Sequence, residues 1–374
     1  MSRSNPLPVS RPAGGQAGQR AAKTDANPYL FQPPTFRSVT SRNSAMLSPM
    51  CEYSAKDGVA NDWHLVHLGA RAIGGVGIVS TEATHVEERG RITHGCLGLW
   101  NDTQRDALAP VAAFVAQQGA IPAVQLAHAG RKASTDVPWR GGKPLTPEQG
   151  AWQPIGPSPL AFGPNYAVPR EMTAEDIQTV LDAFAAAARR ALQAGFRIIE
   201  LHSAHGYLGH SFLSPISNKR TDRYGGGLEN RARFLLDLVA AVRAEWPDHL
   251  PLFVRLSCAD WVEGGLTIED TVNVARMLKA TGAVDLIDCS SGGVDPGQKI
   301  ELYPGYQVPF AARIRREAGI ATAAVGLIHS PDFAESILAS GAADLIVLGR
   351  ALMANPHWVL GAAKTLKADV DLWP

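Results

Sequence analysis

Ile198-Ile-Glu-Leu-His-Ser-Ala-His-Gly-Tyr-Leu208 begins as a strand and ends as a display of polar groups. Phe196, Ile198, Ile199 and Leu201 form a short apolar run of strand length, set off by the turn signal Ala194-Gly195. Directly beyond it stand His202, His205 and Tyr207. Two imidazoles and a phenol at the carboxyl end of a buried strand are costly to leave unpaired. Either backbone groups satisfy them, or something polar meets them there.

Outward from this stretch the same unit repeats. Strands are expected at Ser44–Leu47, Gly77–Thr81, Ile121–Leu126, Phe196–Leu201, Leu252–Leu256, Asp285–Cys289, Ala321–Val325 and Asp344–Leu348. Helical patterns lie near Trp63–Gly74, Thr103–Gln118, Ala174–Ala194, Leu228–Glu245, Ile268–Thr281, Val308–Glu317 and Pro331–Ala339. Thr173 before Ala-Glu-Asp and Thr267 before Ile-Glu-Asp each supply a capping oxygen, with acids in the first turn. This βα alternation predicts an α/β protein, a (β/α)8 TIM barrel with a long lid loop after its third strand. An open doubly wound sheet is the alternative; it would usually show a Gly-x-Gly-x-x-Gly turn, and Leu47-Ser-Pro-Met-Cys51 is not one.

Bulk properties narrow the function classes. Of 374 residues 45% are apolar, enough for one large core, and 35 basic residues balance 35 acidic ones. No overall field therefore favours nucleic acid or an anionic membrane. Cys51, Cys96, Cys258 and Cys289 are scattered and form no Cys-x-x-Cys pair, which argues against a zinc or iron–sulfur site and against a disulfide framework. No apolar run approaches the roughly 18 to 20 residues of a membrane span. A cytoplasmic, reducing setting is expected. Residues 1–27, rich in Gly, Pro, Ser and Ala with a single acid at Asp25, read as a disordered extension to a barrel domain over residues 28–374.

In such a barrel the loops after the strands carry the chemistry. The first strand is followed by Ser48, Pro49, Met50, Cys51 and Tyr53, and the second by Glu82 and Ala83. The third carries Gln125, then His128, Arg131 and Lys132, and the fifth ends in Arg255 and Ser257. The sixth leads into Ser290-Ser291-Gly292-Gly293, the seventh into Gly326, and the eighth into Gly349-Arg350. Glycine turns after the last two strands, with a helix starting at Arg350, suit a phosphate, although tight turns alone also call for glycine. Arg255 and Gln125 suit a large heterocycle with an anionic locus and an amide edge, as a reduced flavin has. The connection Ala133–Met172 is too long for an ordinary loop, and its Trp139, Trp152, Phe162 and Tyr166 either roof a pocket or anchor the loop itself.

Four motifs then carry a resemblance: Ser-Pro-Met-Cys-Glu-Tyr at 48–53, Gln-Leu-Ala-His-Ala-Gly-Arg-Lys at 125–132, Glu-Leu-His-Ser-Ala-His-Gly-Tyr-Leu at 200–208, and 214–231 with Asn218-Lys-Arg-Thr-Asp-Arg-Tyr-Gly-Gly. Over about Phe31 to Pro374 the chain resembles the old yellow enzyme family of FMN-dependent ene-reductases, especially its bacterial, YqjM-like branch of NADPH dehydrogenases and xenobiotic reductases. The resemblance implies that Ser48, Pro49, Met50, Ala83, Gln125, Arg255, Gly326, Gly349 and Arg350 hold FMN, with Cys51 over the flavin tuning its potential. It implies that His202 and His205, joined by Tyr53, bind the substrate carbonyl oxygen, and that Tyr207 is the proton donor. NADPH would be the hydride donor and small electron-poor alkenes the substrates, reduced with anti addition, in a homo-oligomer (dimer or tetramer).

Two departures stand out. Gly227 takes a place where the family usually has Ser at a helix start, for an expected loss of about a few tenths of a kcal/mol. The family's Arg- or aromatic-bearing tail, which reaches a neighbouring subunit, has no counterpart before Asp371-Leu-Trp-Pro374, so that contact is not expected.

The competing reading is a metal-dependent barrel hydrolase using His202 and His205, for which His128 is the candidate third ligand. A larger dienoyl reductase with an iron–sulfur cluster is excluded by the scattered cysteines and the single-domain length. A non-catalytic phosphate-binding barrel leaves Cys51, Tyr53 and Tyr207 unexplained.

Overall fold

The computed structural model describes residues 19–20 and 27–372. The expected disordered extension over 1–27 lies outside the described residues except at Gln19–Arg20 and Asn27. Asn27 exchanges hydrogen bonds with the backbone of Asp369, 2.9 and 2.7 Å long.

Eight parallel strands close into a barrel: β1 (Ala45–Leu47), β2 (Ile78–His85), β3 (Ile121–Ala127), β4 (Ile198–Ser203), β5 (Leu252–Ser257), β6 (Leu286–Ser290), β7 (Ala321–Ala324) and β8 (Leu345–Leu348). Ile346 of β8 pairs with Ala45 of β1 and closes the ring, so the open-sheet alternative is excluded. All eight lie where the sequence pattern places them. The one sizeable difference is β2, which runs past Thr81 to His85 through a register shift between Ser80 and Ala83. Glu82 and Ala83 therefore belong to the strand rather than to the loop after it.

Helices α1 (Asp62–Ile73), α2 (Asp102–Gln117), α3 (Ala174–Gln193), α4 (Leu228–Glu245), α5 (Ile268–Ala280), α6 (Val308–Ala318), α7 (Pro331–Ala339) and α8 (Trp358–Thr365) are distributed along the chain between and after the strands. Thr173 and Thr267 cap α3 and α5 as expected, each within a reciprocal box with Asp176 or Asp270. Gly227 caps α4 without a side-chain bond.

The interior of the barrel is layered by the period-two alternation of strand side chains. Met46, Ile78, Ala123, Ile198, Phe253, Leu286 and Leu345 form an apolar floor. A hairpin of Pro34–Phe36 and Val39–Thr40 closes the barrel beneath it, with the Phe36 ring edge-on to Phe253 at 5.1 Å. Two residues further along β3 to β6 the interior turns polar, with Gln125 above Ala123, Glu200 above Ile198, Arg255 above Phe253 and Asp288 above Leu286, whereas β7 and β8 stay apolar at Ala323 and Val347. Another two residues lead to His202, Ser257 and Ser290. No described helix is long and apolar enough to cross a membrane.

Candidate active site

The middle layer is a buried polar network set by strand register, which places Gln125 beside Glu200 and Arg255 between His202 and Asp288. The Gln125 carboxamide donates to Glu200 Oε1 at 2.7 Å. Arg255 Nε lies 3.2 Å from Asp288 Oδ2, and its Nη1 donates to Ser48 Oγ at 3.3 Å. Burial, with the Asp288 charge beside it, pushes the Glu200 carboxyl up to about 8, against the opposing pull of Arg255. Burial raises Asp288 too. Glu200 Oε2 and both Asp288 oxygens have no hydrogen-bond partner among the described residues. The sequence reading passed over these two acids; the available signal was a lone carboxylate inside an apolar strand at inward parity.

Above this layer the structure brings together the residues singled out beyond β4. The His202 ring lies 5.1 Å from His205 and 5.0 Å from Tyr207, edge-on in both cases. His205 sits at φ +59°, a left-handed conformation uncommon outside glycine, and its Nε2 is 2.6 Å from Ser290 Oγ. Burial and the nearby Arg255 charge hold both imidazoles well below the usual histidine range, so both are neutral at pH 7. Burial, then the Cys51 and Cys96 sulfurs, push the Tyr207 phenol well up, so it keeps its proton. His202 Nδ1 is buried with no hydrogen-bond partner among the described residues, so backbone groups do not satisfy this pair in full.

The loop after β1 supplies the opposite wall. Cys51, Tyr53, Trp152 and Tyr207 pack on Ile92, Cys96, Ala129 and Ala133. Burial raises the Cys51 thiol and the Tyr53 phenol, which keeps both protonated. The loop is pinned through the residue between them: Glu52 Oε1 meets His67 Nε2 at 2.9 Å, and Glu82 accepts from the Glu52 backbone at 3.1 Å. Trp139 of the long connection stands edge-on to Tyr53 at 5.8 Å, whereas Trp152 is anchored by its indole N–H on the Arg89 carbonyl. Phe162 receives the Lys132 ammonium 4.3 Å from its ring and stacks edge-on with Tyr166. Buried among such groups and next to Arg131, Lys132 is lowered to about 8. The Asn218–Gly226 motif holds this connection from outside the site, with Arg220 donating to the Met172 carbonyl at 2.7 Å and Lys219 N to Ser158 Oγ at 2.9 Å.

After β7 and β8 a cavity of about 260 Å³ opens between Ser48, Met50, Gly326, Gly349, Arg350 and Arg255. Gly326 has φ +128°, and a Cβ there would meet Gln307 and Tyr306 at 3.1 Å. A guanidinium over two glycine turns suits a phosphate. The unpaired polar atoms of the middle layer then provide partners for a polar heterocycle further in, so the residues present fit FMN. Of the cofactor positions named from the sequence, Ser48, Met50, Arg255, Gly326, Gly349 and Arg350 line this cavity. Gln125 lies in the middle layer of the barrel interior, outside the cavity lining, Ala83 pairs with it in register, and Pro49 and Cys51 flank Met50.

The metal reading finds no support here. Both ring nitrogens of His128 are engaged, Nε2 with Glu87 at 2.8 Å and Nδ1 with the Gly130 N–H at 2.9 Å. Among the described residues no group of three or more His, Cys, Asp or Glu stands where it could hold a metal ion.

Comparison with known proteins agrees with this geometry. The family model described as NADH:flavin oxidoreductase / NADH oxidase matches residues 29–369. An NADPH dehydrogenase of Geobacillus sp. (strain WCH70) is 49% identical over 344 residues, covering 91% of this chain and 96% of the relative. One of Geobacillus thermodenitrificans is 47% identical over 347 residues, covering 92% and 96%. Among solved structures, morphinone reductase superposes with a TM-score of 0.76 at 26% identity over 93% of this chain and 92% of its own. The old yellow enzyme homologue from Zymomonas mobilis superposes with 0.74 at 26% identity over 93% and 97%.

Proposed function

The chain belongs to the NADH:flavin oxidoreductase / NADH oxidase family, and on that premise we propose that it is an FMN-dependent NADPH dehydrogenase of the old yellow enzyme type that reduces the C=C bond of small α,β-unsaturated carbonyl or nitro compounds. One observation carries the reading: two neutral buried imidazoles and a proton-bearing phenol converge above a polar layer that has unpaired groups for a heterocycle.

FMN bound between Ser48, Met50, Gln125, Arg255, Gly326, Gly349 and Arg350 supplies a hydride acceptor for NADPH and a hydride donor for the alkene. The chain's own residues do the rest. Reduction at the β carbon drives negative charge onto the substrate oxygen, and His202 and His205 donate hydrogen bonds to it. Because both rings are neutral, they present N–H dipoles rather than a fixed cation, and they act most strongly where charge develops. Tyr53 supports the same end of the substrate. Tyr207 holds its proton until the α carbon becomes basic enough to take it, giving anti addition. Cys51, a neutral thiol in the same wall, modulates the flavin's surroundings. The hydrolase alternative is left without a third ligand.

The test is the near-ultraviolet and visible spectrum of the purified protein, before and after p-hydroxybenzaldehyde. Flavin bands and a new long-wavelength charge-transfer band are expected, and His202→Ala should keep the flavin bands and lose the new one. A protein that binds no FMN sinks the reading; a His202→Ala protein with an unaltered charge-transfer band removes His202 from the oxyanion site.

A further inference from the structure

His205 and Gly206 are consecutive left-handed residues in the site, at φ +59° and +75°. A non-glycine residue persists in the left-handed region only where its surroundings over-determine it. Here each backbone polar group of the two residues is bound by a side chain. His205 N donates to Ser257 Oγ at 2.9 Å, and the His205 carbonyl accepts from Lys132 Nζ at 2.9 Å. Gly206 N donates to His210 Nδ1 at 2.8 Å, and the Gly206 carbonyl accepts from Ser211 Oγ at 2.9 Å. Lys132 and His210 thus grip the two ends of one peptide group, C=O on one side and N–H on the other.

The grip continues outward into buried charge. Since His210 Nδ1 accepts, its Nε2 carries the proton and donates to Asp260 Oδ1 at 2.8 Å. Asp260 Oδ2 is fixed by Ser214 Oγ and Leu266 N, each at 2.6 Å, and His210 and Asp260 are both fully buried. Hydrogen bonds in such a series polarise one another, and those ending on ions are the strong ones. Lys132 also spans to the Gly293 carbonyl at 3.0 Å, and a Cβ on Gly206 would collide with that same oxygen. The turns after β4 and β6 therefore meet backbone to backbone at the point that Lys132 ties.

We propose that Lys132 and the His210–Asp260 pair are positioning residues of this enzyme, forming one hydrogen-bonded chain from ammonium to carboxylate through the His205–Gly206 peptide and so holding His205 and Tyr207 against His202. The inference deepens the functional reading above and rests on it for the consequence, but not for the geometry. None of these three side chains needs to touch substrate.

Two measurements on the flavin-loaded protein test it. With 15N-labelled histidine and backbone, His210 should show an unprotonated Nδ1 and a protonated Nε2. Lys132→Met should shift the Gly206 amide proton upfield and move the His210 Nδ1 signal, although Lys132 does not touch His210. The same variant should keep its flavin and bind p-hydroxybenzaldehyde about tenfold more weakly, with Lys132→Arg recovering most of the loss because it still donates to the carbonyl. A His210 protonated at Nδ1 overturns the proposal. So does a Lys132→Met protein with an unmoved His210 signal, or with wild-type phenol affinity. If wild-type protein takes up flavin but no phenol, the functional reading has failed, and the tautomer and the Lys132→Met shift still decide the clamp.

Discussion

Tyr207 has a protonated phenol within a ring's breadth of His202, and the Lys132 ammonium lies 5.1 Å from its face. Under the proposed mechanism, that contact holds the Tyr207 ring in place while its phenol gives up the proton. Tyr207→Phe keeps the ring packed on Ile92, Cys96, Ala129 and Ala133 and removes the hydroxyl with its proton. Stopped-flow measurement should show flavin reduction by NADPH unchanged and reoxidation by an enone slowed about 10²–10⁴-fold. Slower flavin reduction with normal reoxidation would remove Tyr207 from the proton-donor role. The residue was legible as a site candidate because it follows a buried strand at once. How firmly it holds its proton was not, because that depends first on burial and then on Cys51 and Cys96, remote in sequence.

At the scale of elements, the hairpin of Pro34–Phe36 and Val39–Thr40 and the polar ends of the strands do opposite jobs. The hairpin plugs the amino-terminal end of the barrel with Phe36, which is 4% exposed, and Arg37 locks it by a 2.7 Å ion pair to Asp285. Phe36→Ala leaves a void against Phe253 that neither the strands nor the hairpin closes. It should lower unfolding free energy in urea by about 3–5 kcal/mol while flavin affinity at low temperature stays normal. A loss under about 1 kcal/mol would mean that the floor repacks freely. Eight strands and their helices were readable from apolar runs, turn signals and caps. The hairpin was not, because its short strands make too few local contacts to leave a periodic trace.

Across the whole molecule, buried neutral histidines set the response to acid. His85 is fully enclosed, with neither ring nitrogen hydrogen-bonded by a side chain, and burial with the neighbouring His128 lowers it to about 3. The unfolded chain takes up a proton there near pH 6.5, whereas the folded one refuses it down to about 3. The stabilisation is therefore complete above about pH 6.5 and is lost as pH falls through that window, at about 1.4 kcal/mol per pH unit for one such group. His202 and His205, shifted the same way, steepen the fall, while Glu200, raised to about 8, binds its proton first in the folded chain and offsets about one of the three. Urea midpoints followed from pH 7 to pH 5 should drop, and His85→Phe should flatten the slope by about one proton. A wild-type midpoint that rises over this range would contradict the burial of these rings as neutral species.

The sequence by itself determined the barrel, the face that carries the chemistry, and the residues displayed there, because period-two strands, capped helices and the polar groups that end each strand are local signals. It marked His202, His205, Tyr207, Arg255 and Gln125 without any distance between them. Only the tertiary structure decided that Glu200 and Asp288 sit in the layer of Gln125 and Arg255 with carboxylate oxygens left free of hydrogen bonds. Only it showed that both imidazoles are neutral, and that Lys132 and His210 grip one peptide from opposite sides. Each of these depends on which strands are neighbours and on how much water their groups have lost, and both are fixed only when the eighth strand closes on the first.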